Sequence, residues 1–147
     1  MEGIGVWWQQ LGLVMAGGAL GAALRFMVGD AMLRQFGNGF PWGTLTVNLA
    51  GAFVAGYVMI WLQSRGTAAL YWRAFLIVGI VGGLTTFSSM MLESLVFTRT
   101  DRSVMVPLYL GVSLVGGMVL VWAGARVAEA WRCRLQRKCR NPRKTLD

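Results

Sequence analysis

Four apolar stretches, each about 20 residues long and almost free of charge, constrain this chain more than any other feature. A helix of that length crosses about 30 Å of hydrocarbon. Backbone in lipid must satisfy its own hydrogen bonds, and an α-helix does so within one segment. The first stretch starts at Val6 or Leu11 and ends at Val28, and the second runs from Trp42 to Leu62. The third spans Ala74 to Phe97 and the fourth Pro107 to Gly124. The predicted fold is therefore all-α and integral to the membrane, with four transmembrane helices per chain. Polar connections fall at 30–38, 63–73 and 98–103. Pro41 suits a helix start, where its missing N–H is not needed. Residues 1–125 make one four-helix domain, and 126–147 a basic, flexible cytoplasmic tail.

Composition agrees with a bilayer environment. Hydrophobic residues make up 56% of the chain and charged residues only 14%, gathered between the spans and in the tail. A charge at mid-membrane is costly, and this distribution avoids the cost. With no histidine in the chain, a histidine-based catalytic or metal site is excluded. Cys133 and Cys139 match no zinc or redox spacing and read as free thiols of the tail. The net charge of +8 comes mostly from that tail. Lacking interleaved aromatics and following a span, it reads as a segment drawn to anionic headgroups rather than to nucleic acid. Glu2 and the absence of a basic leader argue against a signal peptide.

An even number of spans puts both termini on one side. Arg65, Arg73 and the tail lie there, with Arg25, Arg34, Arg99 and Arg102 opposite. The loops alone are nearly balanced. The tail tips the chain toward termini-in under the positive-inside rule. Glycines recur inside the spans: Gly17 with Gly21, Gly79 with Gly83, Ala52 with Gly56, Ser113 with Gly117. In lipid, small residues four apart allow helix backbones to approach closely.

Polar side chains at bilayer depth need a partner or a function. In the second span these are Thr44, Thr46 and Asn48. Asn48 either offers amide donors to a ligand or bridges two helices. In the third span, Gly82-Gly83-Leu84-Thr85-Thr86-Phe87-Ser88-Ser89-Met90 is a poor helix former. A break there frees carbonyls for a hard cation, and frees N–H groups and hydroxyls for an anion. The Phe87 ring edge suits an anion, and Met90 shares its face; both equally suit plain packing. Arg25, at the end of the first span, either draws anions or snorkels to headgroups. Tyr109 and Ser113, four apart, extend a track of hydroxyl donors, and Glu93 is placed near an interface.

Three segments carry a resemblance: Gly17-Gly18, Gly21-Ala22 and Arg25; Trp42 to Gly51; and Gly82 to Ser88. Across Gly17 to Gly124 the chain resembles the CrcB/Fluc fluoride channels. The resemblance implies an anti-parallel, dual-topology homodimer in the bacterial inner membrane, with two fluoride pores. It also implies a broken third helix and a structural sodium ion on the backbone carbonyls of Gly82 and Thr85 at the dimer interface. Asn48, Phe87, Thr86, Ser88, Ser89, Tyr109 and Ser113 fall on the family's pore, and Arg25 on its first-helix arginine at the pore mouth. Two positions depart from the family pattern. Met90 stands where a second pore phenylalanine is usual, and Gly117 replaces a further serine. The basic tail also leaves room for a heterodimer with an oppositely oriented paralogue.

The expected function is thus passive, fluoride-selective export that lowers cytoplasmic fluoride. The alternative is a small proton-coupled drug or cation exporter of similar size. That chemistry needs a membrane-embedded acid, and the first two spans carry neither Asp nor Glu. A non-transporting scaffold is a third reading. An enzyme is the weakest reading, since no nucleophile–base set or metal-ligand cluster is present.

Overall fold

A computed structural model describes residues 2–63 and 65–140, with side chains over 5–63 and 65–134. Among the described residues every regular element is helical. Helix α1 is Glu2–Phe36 and α2 is Trp42–Leu62. Helix α3 begins as Ala68–Trp72, widens into π-helical turns over Arg73–Val81 and closes with Gly82–Leu84. Helix α4 is Phe87–Arg99 and α5 is Met105–Arg140. Four stretches are long and apolar enough to cross a membrane: Gly5–Phe36, Trp42–Leu62, Ala68–Arg99 and Met105–Arg134.

The second span has the bounds expected of it, and the others run longer. Helix α1 continues through the polar stretch after Val28. Asp30 and Arg34 pair at 2.9 Å one turn apart and support the helix there. It stops at Gly37, whose φ of +69° and bond from its N–H to the Leu33 carbonyl (2.9 Å) end the last turn. The expected connection 63–73 shrinks because helix resumes at Ala68, after Gly66 turns the chain with φ of +56°. Helix α5 does not end at Gly124. No proline follows before Asn141, and the intervening Ala, Arg, Glu, Leu and Gln are good helix formers. Residues 126–140, expected to be a flexible tail, are helical. Residues 141–147 lie outside the described residues.

The helices associate as two pairs, α1 with α3 and α2 with α5. In the first pair the two glycine motifs face each other. A Cβ placed on Gly79 would lie 2.9 Å from the Gly17 Cα, and one on Gly83 would lie 3.1 Å from the Gly18 Cα. The second pair closes through Gly56 and Gly124, whose neighbours are the backbone of Val121 and of Phe53. The Ser113–Gly117 pair makes no such contact, because nothing lies within 4 Å of a Cβ on Gly117. A small core of Leu45, Met90, Phe97 and Tyr109 ties α2, α4 and α5 together. Large apolar side chains such as Phe26, Leu114 and Met118 remain exposed, as a lipid-facing or partner-facing surface requires.

Candidate functional site

Between α3 and α4 the backbone leaves helical geometry for two residues. Thr85 has φ −80° and ψ 151°, and Thr86 has φ −150° and ψ 117°. The local cause is the run Gly82-Gly83-Leu84-Thr85-Thr86: glycines loosen the helix and branched threonines favour extended backbone. In an unbroken helix the Thr86 N–H would bond the Gly82 carbonyl. It donates instead to Asn48 Oδ1 at 2.7 Å. Asn48 Nδ2 donates in return to the Thr86 carbonyl at 3.1 Å. One amide on α2 thus satisfies both backbone groups of Thr86, the bridging role foreseen as one option for Asn48. Its second N–H is left over for another acceptor.

Thr86 also starts α4. Its Oγ1 accepts from the Ser89 N–H at 3.2 Å, an N-cap bond, and lies 3.1 Å from the hydroxyls of both Ser88 and Ser89. Thr85 turns its hydroxyl back, donating to the Val81 carbonyl at 2.9 Å.

A groove of ≈ 460 Å³ opens beside the break. Asn48, Thr85, Thr86, Phe87, Met90 and Ser113 line it, with Gly117 further along α5. Phe87 is 67% exposed, whereas Met90 is 4% exposed and belongs to the core. The two share a helical face, but only the ring stands free of the chain's own packing. Ser113 Oγ is buried and has no hydrogen-bond partner among the described residues. A buried hydroxyl without a partner is costly, which makes Ser113 an atom that calls for a ligand or water.

Tyr109 lies elsewhere. It is fully buried, and its hydroxyl donates to Glu93 Oε2 at 2.6 Å. Thr44 donates its hydroxyl to the other oxygen, Oε1. Glu93 is therefore half-buried and held from both sides by α2 and α5. Thr44, Glu93 and Tyr109 were singled out separately in the sequence but not brought together there. The available signal was an acid on an apolar helix, three residues past Met90, with Thr44 and Tyr109 each four residues before a polar residue already singled out. A second cavity of ≈ 330 Å³ reaches Glu93 and Thr44 from the α1–α2 connection.

Arg25 is half-buried in α1, one turn beyond Gly21, and does not line the groove. Helix α1 continues for eleven residues past it. Its guanidinium has no hydrogen-bond or ion-pair partner among the described residues.

The family model described as "CrcB-like protein, Camphor Resistance (CrcB)" matches residues 12–125. A protein of Xanthomonas axonopodis pv. citri named "Fluoride-specific ion channel FluC" is 60% identical over 124 residues, 84% of this chain and 93% of that one. A protein of the same name from Xylella fastidiosa (strain 9a5c) is 59% identical over 132 residues, covering 90% and 92%. One from Sphingopyxis alaskensis, again of that name, is 44% identical over 111 residues, covering 76% and 88%.

Proposed function

The chain belongs to the CrcB-like family, and from that premise we propose that it is a passive, fluoride-selective channel of the bacterial inner membrane. Relatives 59–60% identical to it carry the name of a fluoride channel. The groove beside the break is the half-pore of one chain. The observation that carries this reading is the orphaned Ser113 hydroxyl, buried in the same groove as the Asn48 amide and the free Phe87 ring.

Fluoride holds its water tightly, so a pore must offer donors in place of that water. In the groove the spare Asn48 N–H, the Ser113 hydroxyl and the positive edge of Phe87 supply them, and the hydroxyls of Ser88 and Ser89, joined to the groove through Thr86, extend the track. The N-terminus of α4 adds the positive end of a helix dipole. Met90 forms the groove wall from the core side, where its thioether fills the space of a second ring without giving an edge. Tyr109 reaches the path only through Glu93, which it holds in place. Arg25, without a partner, raises the local concentration of anions at the pore mouth.

The active form in this reading is an anti-parallel dimer. A second copy inserted the other way covers the exposed groove and completes two pores. An oppositely oriented paralogue would do the same, and the basic end of α5 makes that the alternative to test by crosslinking. A structural sodium ion fits the break on one observation: the Thr86 N–H is turned to Asn48, so the Gly82 carbonyl loses its helical donor. Gly82 and Thr85 of each chain would hold the ion through backbone carbonyls, which suit a hard cation. The ion would supply a fixed positive charge that ties the two broken helices together.

Purified protein in liposomes is expected to release fluoride down its gradient, read by a fluoride electrode, and to pass chloride far more slowly. Equal chloride flux would remove the claim of selectivity. Ser113→Ala is expected to slow fluoride flux about 5-fold, the equivalent of one hydrogen bond of about 1 kcal/mol. Unchanged flux in that variant would take Ser113 off the path.

A further inference from the structure

The two ends of the molecule differ sharply. Trp7, Trp8, Trp61, Trp72, Trp122 and Trp131, all but Trp42 of the chain's tryptophans, lie toward the side that holds both termini. So do Arg65, Arg73, Arg126, Arg132 and Arg134, opposed among the side chains described there only by Glu129. At the other end Arg34 is paired with Asp30 and Arg102 donates to the Gly39 carbonyl at 3.1 Å, while Arg25 and Arg99 lie over no aromatic ring among the described residues.

Length places the basic groups at the lipid boundary. Helix α5 has 36 residues, about 54 Å at 1.5 Å per residue, against about 30 Å of hydrocarbon. Its first 20 or so residues fill the hydrocarbon, so Arg126 stands where the headgroups begin. The extension beyond is fastened to the bundle. Arg132 donates to the Ile60 carbonyl and to Gln63 Oε1, both at 3.3 Å, and so caps the open end of α2. Ala128, one turn earlier, is buried.

With Arg132 engaged, the other guanidinium groups are presented outward. Arg65 lies 4.0 Å over the Trp61 ring, which meets Trp72 edge-on at 6.3 Å. Arg126 lies 5.0 Å over Trp122, and its Glu129 contact is loose at 3.7 Å with both side chains more than half exposed. Each pair puts a phosphate-binding fork beside an indole, exposed at Trp122 and half-buried at Trp61, where the neighbouring Trp72 is exposed. A diester phosphate with acyl chains below it meets both groups at once, whereas a free anion or a soluble polyanion meets only the cation.

We propose that Arg65, Arg126 and Arg134, with Trp61, Trp72 and Trp122, form a collar that binds anionic phospholipid headgroups in the leaflet on the side of the termini. The cations concerned sit on the folded end of α2 and α5, not in a loose tail. The collar is independent of the channel reading.

The test is quenching of tryptophan fluorescence by brominated lipids in vesicles of phosphatidylcholine. Brominated phosphatidylglycerol, at the same fraction, should quench about 2-fold more than brominated phosphatidylcholine, since each cation near the surface enriches anionic lipid. The excess should fall away at about 0.5 M sodium chloride, where screening is strong. The variant R65Q/R126Q/R134Q should show no excess while keeping its fluoride flux in the same vesicles. Equal quenching by the two lipids would overturn the proposal, as would an excess that survives the triple substitution. Loss of the excess on adding millimolar inorganic phosphate would assign the site to a free anion instead. The salt series on the unsubstituted chain decides the matter if the triple variant does not fold. An excess without fluoride flux would sink the channel reading and leave the collar standing.

Discussion

Asn48→Asp should silence fluoride flux, lowering it at least about 100-fold, the equivalent of the roughly 2.5–3.5 kcal/mol that a charge costs at mid-membrane. The change is nearly isosteric, so its effect isolates chemistry from shape. Asn48 uses both ends of its amide: Oδ1 accepts the Thr86 N–H and Nδ2 donates to the Thr86 carbonyl. A carboxylate keeps the first bond. It loses the second and sets an oxygen lone pair against the carbonyl at 3.1 Å. The spare N–H that would meet fluoride disappears as well, replaced by a negative charge that repels it. The effect is thus threefold on one atom pair, and all three parts act in the same direction. Fluoride efflux from liposomes, with a fluorescence-detected elution profile to show that the protein still folds, gives the measurement. Near-normal flux would mean that the anion does not pass Asn48, and the groove would have to be given another role. Asn48→Ala separates the parts: it removes the amide without adding charge, and its flux should fall between the two.

The sequence was most legible where the bilayer itself writes the pattern. Four apolar runs correspond to four membrane-length spans, and the Trp42–Leu62 span was bounded correctly because Pro41 marks its start and a polar turn its end. Where bounds failed, polarity was taken for a loop. Asp30 and Arg34 are polar yet lie in helix, since they pair with each other; only Gly37, with its positive φ, stops α1. The charge of the α5 extension hid its helical propensity in the same way. The facing glycine motifs of α1 and α3 were visible as spacings, but spacing names no partner. Local sequence also pointed to the weak point at Thr85 and Thr86. What it could not reveal was the carboxylate of Glu93 gripped by Thr44 and Tyr109, residues 49 and 16 positions away. Such a cluster exists only once α2, α4 and α5 are packed together. Met90 shows the same limit: helical spacing put it beside Phe87, and tertiary packing then buried one and exposed the other.

Gly21→Ala should lower the stability of the bundle by about 1–3 kcal/mol, the usual range for overpacking. Elementary helix propensity predicts the opposite sign, because alanine favours a helix over glycine by about 0.5–1 kcal/mol. The structure decides between them. A Cβ on Gly21 would fall onto the Ile80 carbonyl oxygen and lie 2.8 Å from the Leu84 nitrogen. Both neighbours are backbone, so no rotamer change relieves the clash, and α1 must move off α3. That displacement acts on the turn just before Thr85, so flux should fall together with stability. Gly12→Ala on the same helix is the matched control, since its Cβ meets nothing within 4 Å; it should be neutral or slightly stabilising. Thermal unfolding of both variants in one detergent reads the difference. If Gly21→Ala melts no lower than Gly12→Ala, the close approach of α1 and α3 is not what holds the broken helix in place. The break must then be held from α2 alone, through the two bonds between Asn48 and Thr86.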